Sequence, residues 1–276
     1  MVEVHCAHGY LVSTFISQRT NNRTDEFGGC FENRMRLPRL IIENIRKKTG
    51  GNLPIFCRIN ACDEVPGGQS VQDAAAVAAY LEQECGVDAL HVTRAVHLHD
   101  EFMWAPGITH GGFNADLVTE IKRAVSVPVI IVGRFTEPQY AELLVKQGRC
   151  DLVAFGRQSI ADPELPNKAR NNQLETLAPC IGCLLGYVPR VYLKTPNAPG
   201  RRAFSHCAAA FFLEIRQYSC EKMSCSARKF LAAGRIARFQ IPPKGAGLRG
   251  ADSVLRPRAP ASGRYTRPAR PPAANK

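Results

Sequence analysis

The sequence has no run of eighteen or more apolar residues, which excludes a long membrane-crossing helix. Residues 1–30 carry no basic start followed by an apolar stretch and a small-residue cleavage site, so the expectation is a soluble, cytoplasmic chain with no membrane partner. No dinucleotide-binding glycine fingerprint occurs. A disulfide framework is also missing: the eleven cysteines are an odd number, scattered through a chain of 276 residues that is long enough to bury a core, so reduced thiols are expected. Acidic residues are scarce in one region only. Residues 188–276 hold 3 Asp+Glu against 18 Lys+Arg, a net of about +15, whereas residues 1–187 hold 21 against 18, about −3. The overall charge of +12 therefore belongs to the tail.

Between residues 2 and 165, short β-branched apolar runs alternate with amphipathic stretches. The strand candidates are VEVHCA from residue 2, PIFCRINA (54–61), DALHVT (88–93), VPVIIVG (127–133) and DLVAFG (151–156). Helical patterns lie between them, with Ser70, Asn114 and Thr136 as expected N-caps. Strand and helix repeated in this order predict a parallel sheet with crossover helices. From residue 188 the alternation stops, and the last thirty residues are rich in Arg, Pro, Ala and Gly, a composition that cannot bury enough apolar surface to order itself. The organisation expected is thus 1–187 as an α/β domain and 188–276 as a basic, largely disordered tail. Such a tail would attract polyanions without sequence preference, but its aromatics are sparse and no recognition module is visible, so no specific nucleic-acid partner is expected.

Polar residues gather just after the strands: His5, His8 and Tyr10; Arg58; His97 and His99; Gly133 and Arg134; Gly156 and Arg157. In a barrel of parallel strands, such positions face one mouth. Gly133–Arg134 and Gly156–Arg157 follow consecutive strands. Glycine lets backbone N–H groups approach an anion and arginine clamps phosphate through two donors, so the two pairs together suggest a phosphate site. The alternative is that each glycine only turns the chain and each arginine pairs with an acid. Arg58 lies inside an apolar strand, where its charge needs either a buried carboxylate or an electron-rich ring. His5 and His8 could donate to a carbonyl or nitro oxygen while Tyr10 supplies a proton; core histidines and a half-buried tyrosine are the plainer alternative. Metal binding by these histidines lacks a third ligand at characteristic spacing.

The string VEVHCAHGYLVSTFISQRTNNRTDEFGGCFENRMRL resembles the Old Yellow Enzyme, or NADH:flavin oxidoreductase, family: a strand ending His-x-x-His-Gly-Tyr-Leu, then Asn-x-Arg-x-Asp-x-x-Gly-Gly, then Glu-Asn-Arg. SQRTNNRTD, VGRFTEPQYAELL and SIADPELPNKA lean toward the larger iron–sulfur members, such as 2,4-dienoyl-CoA reductase and the bile-acid enoyl oxidoreductases. The resemblance covers residues 2 to about 187. It implies the C-terminal part, about strands four to eight, of a (β/α)8 TIM barrel that binds FMN and uses NAD(P)H to reduce an α,β-unsaturated carbonyl or an enoyl or dienoyl thioester. By the same resemblance His5 and His8 hold the activating oxygen, Tyr10 protonates the α-carbon with His99 assisting and His97 a near competitor for that role, and Arg58 lies against the flavin. Gly133, Arg134, Gly156 and Arg157 hold the phosphate.

Three departures accompany it. The chain begins inside what would be strand four, so a homo-oligomer or a second chain supplying the absent strands becomes a candidate partner, and an inactive fragment a rival reading. Cys180 and Cys183 match the start of a [4Fe–4S] motif, but Tyr187 stands at the third cysteine position and Pro199 at the fourth. The domains that follow the barrel in the large members are not evident, and the shift in composition after residue 188 has the texture of a frame change.

Overall fold

The computed structural model describes residues 1–97 and 100–184, together with the backbone strands Phe211–Ile215 and Arg238–Phe239. Met1–Ile241 form one compact unit; Pro242–Lys276, the second, lie outside the described residues.

Five parallel strands carry the molecule: β1 (Val2–Cys6), β2 (Ile55–Asn60), β3 (Ala89–Thr93), β4 (Val129–Val132) and β5 (Leu152–Phe155). They pair in chain order, with Val4 opposite Cys57, Cys57 opposite Leu90, Leu90 opposite Val129 and Ile130 opposite Leu152. The helices in chain order are α1 (Leu11–Ile16), α2 (Phe31–Arg34), α3 (Arg36–Lys48), α4 (Val71–Gln83), α5 (Asp100–Met103), α6 (Ala115–Ala124), α7 (Pro138–Lys146), α8 (Arg157–Ala161) and α9 (Leu165–Arg170). A strand–helix–strand order with every strand parallel to the last is the α/β arrangement expected. It agrees with part of a TIM barrel.

Two-residue periodicity splits the sheet into two apolar layers. Ile55, Cys57, Ile59, Leu90, Val92, Val129, Ile131, Val153 and Phe155 face the helices and pack with Ile42, Val77, Leu81, Val118, Ile121 and Leu144. Phe56, Ala89, Ile130, Leu152 and Ala154 form a second buried layer on the opposite face. Strands buried on both faces must be apolar throughout, which is why their sequences read as continuous runs rather than alternating ones.

The strand starts are capped by acids. Asp88 accepts from the Ile55 backbone N–H at 2.9 Å, Asp151 from Val129 at 2.7 Å, and Glu82 from Ser126 and Val127. Lys122 neutralises Asp151 at 2.8 Å. Asn21, Asn33 and Arg34, which stand in the long motif-bearing string, serve the backbone: Asn21 Nδ2 donates to Phe15 and Phe27 carbonyls, Asn33 to Gly28, and buried Arg34 to Ile16 and Gly29.

Two of the three expected N-caps stand where the sequence placed them. Ser70 caps α4 with a reciprocal capping box to Asp73, as expected, and Asn114 stands at the N-cap of α6 but sends Nδ2 to the Val132 carbonyl instead. Glu137, not Thr136, precedes α7, because Pro138 occupies the first turn where its missing N–H costs nothing. The expected tail, residues 188–276 and largely disordered, is described only in part. Most of it lies outside the described residues, but Phe211–Ile215 forms β6, antiparallel to β5, and Arg238–Phe239 forms β7 beside it. The stretch FFLEI has the aromatic and β-branched content of a strand, which an average over the whole tail conceals.

Candidate functional site

β1 ends at Cys6, and the chain then enters a tight reversal. His8 has φ 62° and Gly9 φ 75°, both left-handed. The His8 backbone N–H donates to Asn60 Oδ1 at 3.1 Å, its Nε2 meets Thr93 Oγ1 at 2.9 Å, and its backbone bridges to Val96. These contacts, to residues far along the chain, hold a non-glycine residue in a conformation that it adopts only with support. The reversal delivers Tyr10 to the start of α1 with 47% of its surface exposed. Its ring lies 5.2 Å from that of His5 and 4.7 Å, edge-on, from that of His97; the His5 and His8 rings are 5.3 Å apart.

Register places His5 beside Arg58 and Arg58 beside His91, on the layer that also carries Glu3. Glu3 Oε2 meets His91 Nδ1 at 2.9 Å. Burial works to raise the Glu3 carboxyl, but the His91 hydrogen bond and the nearby positive groups outweigh it and hold the acid below its ordinary range. Burial and then Arg58 push His5 down, and the same two causes take His8 down to about 2. Both histidines are therefore neutral at pH 7, each with one N–H to donate. A further network fixes the support: Asn60 Nδ2 donates to Asp63 Oδ1 at 2.9 Å, while Ser17 Oγ and the Gln69 backbone N–H donate to Asp63 Oδ2, both at 3.0 Å.

The two later strand ends form a second cluster. Arg134, after β4, has φ 50° and its Nε is buried with no hydrogen-bond partner among the described residues. At Gly133 an added Cβ would stand 3.0 Å from Asn114 Nδ2, whereas one at Gly156 would meet open space. Arg157 Nη1 donates to the Ala105 carbonyl at 2.8 Å. Beside it, buried Gln158 donates to the Ala178 carbonyl at 2.9 Å and accepts from the Cys180 N–H at 2.7 Å.

The structure thus brings His5, His8, Tyr10 and Arg58 together, and places Gly133, Arg134, Gly156 and Arg157 at neighbouring strand ends of the same sheet. His97 occupies the place beside Tyr10; His99 lies outside the described residues. Cys180 is partly buried and Cys183 exposed, and among the described residues no three His, Cys, Asp or Glu side chains gather to hold a metal. Sequence reasoning missed Asn60, Thr93, Glu3, His91 and Gln158. Only the two-residue spacing of Glu3 from His5 hinted at a shared face.

The chain is 41% identical to an NADH oxidase of Thermoanaerobacter brockii over 68% of its own length and 29% of that protein. It is 32% identical to an NADPH dehydrogenase of Bacillus subtilis strain 168 over 65% of the chain and 50% of the relative. Among solved structures it resembles 2-naphthoyl-CoA reductase in complex with 2-naphthoyl-CoA, with a TM-score of 0.66 and 32% identity over 70% of this chain and 29% of that one. It spans less than two thirds of each. Residues 1–176 match the NADH:flavin oxidoreductase / NADH oxidase family, and the chain belongs to it.

Proposed function

We propose that the chain provides the substrate and phosphate sides of an FMN-dependent NAD(P)H oxidoreductase site, and that its reaction is reduction of an alkene conjugated to a carbonyl or thioester. The observation that carries this reading is the convergence of His5, His8, Tyr10 and Arg58 at adjacent ends of the sheet that also terminates in Arg134 and Arg157. The family supports flavin and NAD(P)H use, and the thioester held by 2-naphthoyl-CoA reductase supports that substrate class.

The residues fit FMN. A buried Arg134 Nε without a hydrogen-bond partner among the described residues suits an anion, and Gly156 opens onto space. Gly133, Arg134, Gly156 and Arg157 would hold the phosphate, and Arg58 would face the ring, favouring its negatively charged reduced form. When bound, FMN supplies the hydride. Neutral His5 and His8 donate hydrogen bonds to the activating oxygen of the alkene, which draws electron density from the β-carbon. The Tyr10 hydroxyl passes its proton to the α-carbon, with His97 or His99 beside it to steady the phenol. Within the iron–sulfur branch, Cys180 and Cys183 would supply two of the four thiolates of a [4Fe–4S] cluster, but Tyr187 and Pro199 stand at the other two positions and leave the motif incomplete.

A second reading, a subunit that needs another chain, is favoured by β1: among the described strands it pairs only with β2, so its other edge can accept a strand. The visible absorption spectrum of the purified chain, with and without added FMN, tests both. A bound-flavin band that bleaches with NAD(P)H and returns on adding an enone supports the enzyme. A chain that stays colourless with FMN alone refutes the first reading for the isolated chain.

A further inference from the structure

Residues 178–182 leave α9 and return across the strand ends that carry Arg134 and Arg157. Three hydrogen bonds hold this segment directly and two more brace them. Buried Gln158 grips it at two points, through the Ala178 carbonyl and the Cys180 N–H. Asp162 Oδ2 accepts from the Ala178 N–H at 3.0 Å and from Lys168 Nζ at 2.7 Å, and Lys168 donates onward to the Thr176 carbonyl at 2.8 Å. Beyond Cys180 the chain presses on the loop after β3: an added Cβ at Gly107 would stand 2.5 Å from the Ile181 carbonyl oxygen, and one at Gly182 2.7 Å from Gly107 Cα and 3.1 Å from Arg134 Nε. Gly182, with φ 65°, is therefore the residue lying over the arginine.

We propose that residues 178–182 form a strap, latched by Gln158, that shields the Nε edge of Arg134 from water and so sets how firmly its guanidinium grips a phosphate-bearing ligand. The proposal rests on the phosphate role given above to Arg134 and names Gln158 as a positioning residue for it. The physics is that of a partly desolvated cation. Arg134 is only partly buried, but its Nε is out of water with no hydrogen-bond partner among the described residues, and a guanidinium edge held in this way favours an incoming anion more strongly than a fully solvated one does. Gln158 suits the latch because an amide donates and accepts at once, meeting a carbonyl and an N–H two residues apart. It follows Arg157 directly, so the residue that ties down the strap and the residue that ties down the 105–107 loop share one turn of helix.

The experiment uses the full chain, with Gln158→Leu, Gln158→Glu and Gly182→Ala. Peptide mapping after phenylglyoxal treatment reads the exposure of Arg134 without any flavin. Fluorescence titration with FMN and with riboflavin, which lacks the phosphate, reads the phosphate contribution as the ratio of the two dissociation constants. Gln158→Leu is expected to speed Arg134 modification several-fold and to shrink the FMN preference about tenfold, with riboflavin affinity unchanged within about twofold. Gln158→Glu, which keeps the acceptor for Cys180 but not the donor to Ala178, should fall between. Gly182→Ala should act in the same direction by lifting the strap.

Equal Arg134 reactivity in wild type and Gln158→Leu overturns the strap. So does a parallel loss of FMN and riboflavin affinity, which marks a general structural role. A wild type that binds riboflavin as well as FMN, or binds neither, overturns the phosphate reading and the grip with it, and the phenylglyoxal result then shows separately whether the shield exists.

Discussion

His8 offers the sharpest test of the site's electrostatics. It is 8% exposed, its Nε2 is engaged by Thr93, and burial together with Arg58, His5, His97 and His91 takes its pKa from the ordinary 6.5 to about 2. In the unfolded chain the imidazole gains a proton as the pH drops below about 6.5; in the folded chain it stays neutral until about 2. The unfolded state thus binds more protons between these values, and stability is lost as the pH falls through that window. From pH 7 to pH 5 the linkage amounts to about 2 kcal/mol for this one group. His5 and His91 are also shifted down and steepen the wild-type profile, so the quantity to measure is a difference. His8→Asn keeps a side chain that tolerates the left-handed backbone. Urea unfolding followed by circular dichroism at both pH values should show the wild type losing about 2 kcal/mol more than His8→Asn. Any cost of losing the Thr93 contact is present at both pH values and cancels. Equal losses in the two proteins would show that His8 protonates freely in the fold, and the neutral-donor role would go with it.

Other outcomes follow from the same geometry. Tyr10→Phe should lower enone turnover by about 10²- to 10⁴-fold with flavin binding unchanged, measured by NAD(P)H oxidation under anaerobic conditions. Ser70→Ala breaks the capping box of α4 and should cost about 1 kcal/mol in urea unfolding. Asp151→Ala orphans the Val129 N–H and should cost about 1–3 kcal/mol, visible as a lower unfolding midpoint. Gly112→Ala forces a Cβ to within 2.7 Å of Tyr140 Cε1 at φ 66°, and thermal melting should show clear destabilisation.

The strands could be read from the sequence because each is buried on both faces, so its apolar run is uninterrupted and bounded by turn residues. The positions after the strands could be read as well, since a parallel sheet sends every strand end to one side. Pairings between strands could not. His8 meets Thr93, and Glu3 meets His91, across more than 80 residues of chain. Neither pairing has a local signature, because each depends on sheet register. Gln158 was invisible for a similar reason: one glutamine in GRQSIADP looks like any polar helix residue until the segment carrying Cys180 is laid against it. The string from Asn21 to Arg34, specific as a family mark, proves locally to be a knot of side chains holding carbonyls.

The carboxylates at the strand starts have a consequence for how this sequence can change. Asp88, Asp151 and Glu82 satisfy the backbone at one end of the sheet, while the histidines, Tyr10 and the arginines stand at the other. Anchoring and the proposed chemistry are thus separated by the length of a strand. On the proposed function, a mutational library confined to residues 94–113 tests whether that segment sets substrate range, and it leaves those anchors untouched.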